Sequence, residues 1–203
     1  MSTPRDNRPP RRTRSGPVII LGIDPGLTRT GYGVIIADGS NHSCVHFGAV
    51  APPPKAPHPE RLIRIHEAIT DIIAQYHPTE VAIEDFVLGF TRAAVAVGEA
   101  RAVATLAAAQ AGLPVSIYKP SEIKKFVTTF GRGSKDQVGM MVQTLLSMPK
   151  PATPADAADA LAVALCHALR RGSVLATNGL DQPPTPLGSA FKLPSGVGKR
   201  GAR

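Results

Sequence analysis

Tryptophan is absent from this chain of 203 residues, and with three tyrosines and six phenylalanines the aromatic share is only 4%. A core must therefore be built mainly from aliphatic side chains and alanine, and a hydrophobic content of 43% supplies enough of them. Only two cysteines occur, Cys44 and Cys166; they cannot form a disulfide scaffold and they suit a reducing compartment such as the cytoplasm. No apolar run approaches the roughly 20 residues needed to cross a bilayer, so no integral membrane protein is expected. The apolar run from Pro17 to Ile23 is short and ends in Asp24-Pro25-Gly26, so no secretory signal is expected either. The length suits one domain with a substantial core rather than two.

Charge is unevenly placed. Lysine and arginine total 23 against 15 acids, a net charge of +8. Residues 1–16 carry five arginines and one aspartate, and residues 172–203 carry four bases and one aspartate. Both ends are rich in proline, glycine and serine and lack hydrophobic periodicity, so they are expected to be disordered basic tails around a domain at 17–171. Such tails favour a polyanion without specifying one, and equally serve solubility. Within the domain, Lys119, Lys124, Lys125, Arg132 and Lys135 face a single acid, Glu122, between residues 119 and 135. One basic stretch in an otherwise near-neutral domain fits an enzyme acting on a polyanion better than a purely electrostatic binder.

Hydrophobic patterning sets out the elements in order. Val18 to Ile23 is a continuous β-branched run, as for a strand buried on both faces. Strands at 31–36 and 43–50 follow, the first turned by Asp38-Gly39-Ser40, giving a hairpin-linked meander. After a proline-rich loop, the apolar positions Leu62, Ile65, Ile69, Ile72 and Ile73 mark an amphipathic helix over 60–76. A short strand at 81–84, an alanine-rich helix over 91–111 closed by Gly112, and a strand at 113–118 come next. Helices over 122–128, 136–146 and 154–169 complete the order β-β-β-α-β-α-β-α-α-α. That order implies an α/β fold: a mixed sheet whose three antiparallel strands are followed by alternating strands and helices.

Four carboxylates stand out against this pattern. Asp24 ends the most apolar strand, where ligands bind in open α/β sheets, although Asp-Pro-Gly is equally a good β-turn. Glu84 ends the strand at 81–84, and a strand-end acid facing solvent is the plainer alternative; its neighbour Asp85 points to the opposite face. Asp156 and Asp159 lie three apart, hence on one face of the last helix. Asp156 alone could be a first-turn acid complementing the helix dipole, with Thr153 as N-cap and Pro154 at the first helical position. Asp159 lies deeper in an apolar helix with no lysine or arginine nearby in sequence, and a metal ion is the economical partner for it. Two strand-end acids plus such a pair make a hard oxygen-ligand set for Mg²⁺ or Mn²⁺. In two-metal phosphodiester chemistry such acids hold ions about 3.5–4 Å apart.

Leu21-Gly22-Ile23-Asp24-Pro25-Gly26 with Thr30-Gly31-Tyr32-Gly33-Val34-Ile35 resembles the first motif of the RuvC-type Holliday-junction resolvases. The resemblance extends through Ala82-Ile83-Glu84, Gly98-Glu99-Ala100-Arg101, Gly131 to Val138 and Ala155 to Ala162, in order, from about Ile19 to His167. It implies an RNase H-like fold and a homodimer whose two sites nick opposite strands of four-way junction DNA symmetrically. Asp24, Glu84, Asp156 and Asp159 match the family's metal-binding catalytic acids, and the choice of Glu84 over Asp85 rests on this match. Lys135 matches a basic residue near the scissile phosphate, and Lys124 one that contacts the junction; Lys125 and Arg132 are further backbone contacts. The implied cofactor is two Mg²⁺ per subunit, with Mn²⁺ an alternative, the products carry 5′-phosphates, and the implied partners are the RuvA and RuvB branch-migration proteins.

The chain departs from the family where an aromatic is usual three residues after the catalytic glutamate. Val87 stands there, flanked by Phe86 and Phe90, either of which can stack on a base for about 1–3 kcal/mol. His167, near the end of the last helix, reads as a packing residue. A non-catalytic junction-binding module of the same fold is the alternative, and it would ordinarily have lost one of the four acids. An actin-type ATPase, suggested by Gly22 to Gly26, needs two lobes for which this length has no room.

Overall fold

The computed structural model describes residues 16–85, 91–127 and 135–176. The described elements follow the expected order: β1 (Val18–Asp24), β2 (Thr30–Asp38), β3 (Asn41–Val50), α1 (His58–Tyr76), β4 (Glu80–Glu84), α2 (Arg92–Gln110), β5 (Val115–Tyr118), α3 (Pro120–Val127), α4 (Lys135–Leu145) and α5 (Ala155–Ala176). The strands form one sheet in the order β3-β2-β1-β4-β5. The β1–β2 and β2–β3 pairs are antiparallel, and β1–β4 and β4–β5 are parallel. Short loops suffice for the meander, with Gly39 in the left-handed region (φ 58°) at the β2–β3 turn. The parallel pairs need longer crossovers, which the chain makes with helices.

Alternation along the strands divides the core in two. Leu21, Ile23, Val34, Val81, Ile83 and Val115 face one way and pack on Ile65, Ile69 and Ile72 of α1 and on the alanines of α2. Ile20, Ile35 and Ala82 face the other way and pack under α5, with Ile123 of α3 and Val138 and Val142 of α4 beside them. The helix α2 begins at an N-cap, Thr91, whose hydroxyl accepts from the Ala94 N–H at 3.2 Å. It presents Ala100, Ala104, Ala107 and Ala108 to the sheet, small residues that let helix and strands approach closely. No helix among the described residues is long and apolar enough to cross a membrane.

Most element ends fall within one or two residues of the sequence expectation, and the last helix departs from it furthest. The helix α5 starts at Ala155 rather than Pro154, whose carbonyl accepts from Ala157 N–H at 3.0 Å. It also continues through Gly172 to Ala176, past the domain end expected at residue 171. A glycine costs a helix only about 1 kcal/mol, and the long buried face from Ala157 to Ala168 carries the helix past it. Residues 1–15 and 177–203, which hold most of the two expected tails, lie outside the described residues.

Candidate active site

Asp24 and Glu84 end neighbouring parallel strands, in register through Ile23 and Ile83. Alternation then decides which way each points. Counting from Ile20 and Gly22, Asp24 lies on the α5 face of the sheet, and counting from Ala82, so does Glu84. Asp85 falls on the opposite face, where it forms an ion pair with Arg101 of α2. The structure thus supplies the geometric reason for Glu84 over Asp85 that the resemblance alone had provided.

The second pair of acids arrives on α5, and glycines determine how close it comes. A Cβ on Gly22 would stand 2.7 Å from the Ala164 nitrogen and 2.8 Å from its Cβ. A Cβ on Gly31 would collide with the carbonyl of Asp156, and one on Gly33 would meet Leu161 at 2.6 Å. These three glycines of β1 and β2 form a trough in which α5 lies flush on the sheet. Gly31 pairs with Asp24 across the β1–β2 ladder, so the trough sets the first turn of α5 beside the end of β1.

The acids feel one another. Burial, then the charges of Glu84 and Asp159, a hydrogen bond with Glu84 and the charge of Asp156 push the Asp24 carboxyl up to about 8. Such a group is mostly protonated at neutral pH, because it is buried among other carboxylates. Asp24, Glu84 and Asp159 line a cavity of about 300 Å³ with Lys124, Ile123, Pro120, Val138 and Ala162. Asp156 does not line this cavity; it borders a neighbouring hollow with Arg29 of the β1–β2 loop, whose Nη1 lies 3.5 Å from its Oδ2. Among the described residues no three His, Cys, Asp or Glu side chains are already arranged to hold a metal ion. An all-oxygen donor set around a carboxyl driven to about 8 nevertheless fits a hard divalent cation, whose charge relieves the repulsion among the acids.

Of the expected nucleic-acid contacts, Lys124 lines the cavity, whereas Lys125 is exposed on α3 and does not. Lys135 begins α4; its side chain, Arg132, Phe86 and Phe90 lie outside the described residues. Sequence reasoning missed Arg29, whose partner is distant in sequence, and missed what Gly22, Gly31 and Gly33 do, although all three sit in the quoted motif. His167 is 8% exposed, with Nδ1 2.6 Å from the Tyr118 hydroxyl and Nε2 2.6 Å from Glu80. It ties α5 to β4 and β5 and packs, as expected. A larger cavity of about 500 Å³, at the other end of β1, has no acid in its lining.

Residues 20–167 match the family model described as "Crossover junction endodeoxyribonuclease RuvC". A relative of that name from Maricaulis maris is 48% identical over 155 residues, covering 76% of this chain and 92% of the relative. One from Pelotomaculum thermopropionicum is 44% identical over 152 residues, covering 74% and 93%. Among solved structures, T. thermophilus RuvC in complex with Holliday junction substrate superposes with a TM-score of 0.73 at 32% identity, covering 77% of this chain and 96% of that one.

Proposed function

We infer that this chain, which belongs to the RuvC family of crossover junction endodeoxyribonucleases, resolves Holliday junctions by hydrolysing phosphodiester bonds at the acid-lined cavity. The observation that carries the reading is the convergence of Asp24 and Glu84, from adjacent strand ends, with Asp156 and Asp159 of α5, felt by Asp24 as a carboxyl raised to about 8. All four acids that the chemistry needs are present, which disfavours a non-catalytic junction binder.

Asp24, Glu84, Asp156 and Asp159 would hold two Mg²⁺ per subunit, with Mn²⁺ able to replace it. When bound, such ions supply Lewis acidity that activates water and offsets charge on the leaving oxygen. The four carboxylates would hold the cations where a strand meets the cavity. Lys124, at the cavity rim, and Lys135, at the start of α4, offset charge on the phosphate in flight. Lys125 and Arg132 hold the flanking backbone, and Phe86 or Phe90 stacks on a base at the junction centre. The ends are left as 5′-phosphates. A homodimer brings two such sites to opposite strands, so that nicking is symmetric, and RuvA and RuvB deliver the junction during recombination and repair in the cytoplasm.

The test is a Mg²⁺ titration with a mobile synthetic junction beside linear duplex and single-stranded controls. Symmetric nicks confined to the junction support the reading. Equal digestion of all three substrates would reduce it to a general nuclease.

A further inference from the structure

Among the described residues, Arg29 lies beside the acids without a use in the motif or in the chemistry above. It sits on the loop between β1 and β2, whose backbone is held in place. Thr30 is fully buried, and its hydroxyl donates to the Gly26 carbonyl at 2.8 Å and accepts from the Gly26 N–H at 3.3 Å. The loop is thereby pinned at both ends, leaving Thr28 and Arg29 exposed between them. Two residues on, Gly31 abuts the Asp156 backbone, so the sheet keeps the backbone of Arg29 within side-chain reach of Asp156.

The contact itself is loose. At 3.5 Å, with the two side chains 50% and 33% exposed, it is an ion pair of a kind that contributes about 0–1 kcal/mol and is readily exchanged for a better partner. Asp156 and Arg29 line an open hollow of about 430 Å³ together with Thr28, Pro52 and Pro54, separate from the cavity lined by the other three acids and Lys124. Each of the two hollows thus carries a cation, on different elements, and a guanidinium suits bidentate contact with a phosphate.

We propose that Arg29 is a nucleic-acid-binding residue that changes partner: in the metal-free protein it holds Asp156, and when a divalent ion claims that carboxylate it grips a backbone phosphate of the DNA strand crossing the Pro52–Pro54 hollow. This rests on the reading of Asp156 as a metal ligand. The ion pair acts as a placeholder at Asp156 until metal arrives, and it makes cation uptake and strand engagement mutually reinforcing. Because the phosphate contact is made to the backbone, it strengthens binding without reading sequence.

The experiment compares wild type with Arg29→Ala and Arg29→Lys in two DNA-free and DNA-bound measurements, with the melting temperature recorded to show that each variant folds. Calorimetric titration of Mn²⁺ into the DNA-free protein is expected to show tighter uptake in Arg29→Ala, because the competing guanidinium is gone. Junction affinity measured in Ca²⁺, a hard cation with the same ligand chemistry, is expected to fall about tenfold in Arg29→Ala. The slope of log affinity against log salt is expected to shrink by about one, while in EDTA the loss is smaller. Arg29→Lys is expected to restore the salt slope and only part of the affinity, since a lysine is a point charge. Opposite signs for metal and junction affinity are what a merely structural arginine would not produce. Wild-type Mn²⁺ uptake with an unchanged salt slope in Arg29→Ala would overturn the role of Arg29. Absence of Mn²⁺ uptake by wild type would overturn the metal reading beneath it.

Discussion

Gly31 lies against Asp156 so closely that any side chain at residue 31 would collide with the carbonyl of that aspartate. Strand β2 thereby holds the first turn of α5, and with it one of the four acids, at the end of β1. The spacing of the site is set by a missing side chain on a strand that contributes no ligand.

Gly31→Ala should therefore act at the site as well as on the fold. The new Cβ pushes α5 outward, and overpacking of this kind costs about 1–3 kcal/mol, read as a lower urea midpoint at unchanged slope. Mn²⁺ affinity, measured by calorimetry on the folded variant, should fall as well. Loss of stability with unaltered metal affinity would show that the trough positions nothing.

Asp24 makes a prediction with a definite sign. Its carboxyl is raised from 3.8 to about 8 in the fold, so the folded state binds more protons than the unfolded one between those values. Its contribution to stability is then most favourable at low pH and declines as pH rises toward about 8. Asp24→Asn should remove that decline: in EDTA, the variant should gain stability over wild type as pH rises from 5 to about 8, and Mg²⁺ should erase the difference by stabilising wild type. The same variant should lose nicking by at least about 100-fold while still shifting a junction in a gel.

Metal uptake should release protons for the same reason. Near pH 7 the metal-free site retains much of the Asp24 proton, and a cation displaces it, so affinity should rise with pH up to about 8. Calorimetry in buffers of different ionisation enthalpy measures the release directly. A heat independent of buffer would contradict it.

Away from the site, Glu80 is held below its ordinary 4.5 by its hydrogen bond to His167, with Arg171 adding to the effect. That stabilisation is present above the ordinary carboxyl range and is lost as pH falls through the lowered value. Glu80→Gln should cost about 3 kcal/mol at pH 7 and flatten the acid limb of the stability curve, while leaving Mn²⁺ affinity intact.

What was legible in the sequence follows from where each signal resides. The order of the described elements was readable because Val18–Ile23 is a short β-branched run stopped by Asp24-Pro25-Gly26, Ile65, Ile69 and Ile72 recur at the helical spacing, and the α2 segment is rich in alanine, a strong helix former. The acids were readable because Asp159 falls in an apolar stretch with no lysine or arginine near it in sequence. The face of Glu84 was not, since Val81-Ala82-Ile83 is apolar on both sides and only packing distinguishes them. Gly22 and Gly31 read as motif letters, because close approach between α5 and the sheet has no local signature. Arg29 looks like any solvated loop arginine until Asp156 is brought beside it. The continuation of α5 past Gly172 was missed because glycine is a stop signal locally, and a packed helix face outweighs it.

The most direct measurement is Mn²⁺ titration into the DNA-free chain at pH 8, wild type beside Asp24→Asn, Glu84→Gln, Asp156→Asn and Asp159→Asn. The account predicts saturable uptake approaching two ions per chain and weakened by each substitution. Uptake that is absent, or that survives all four substitutions unchanged, would contradict it.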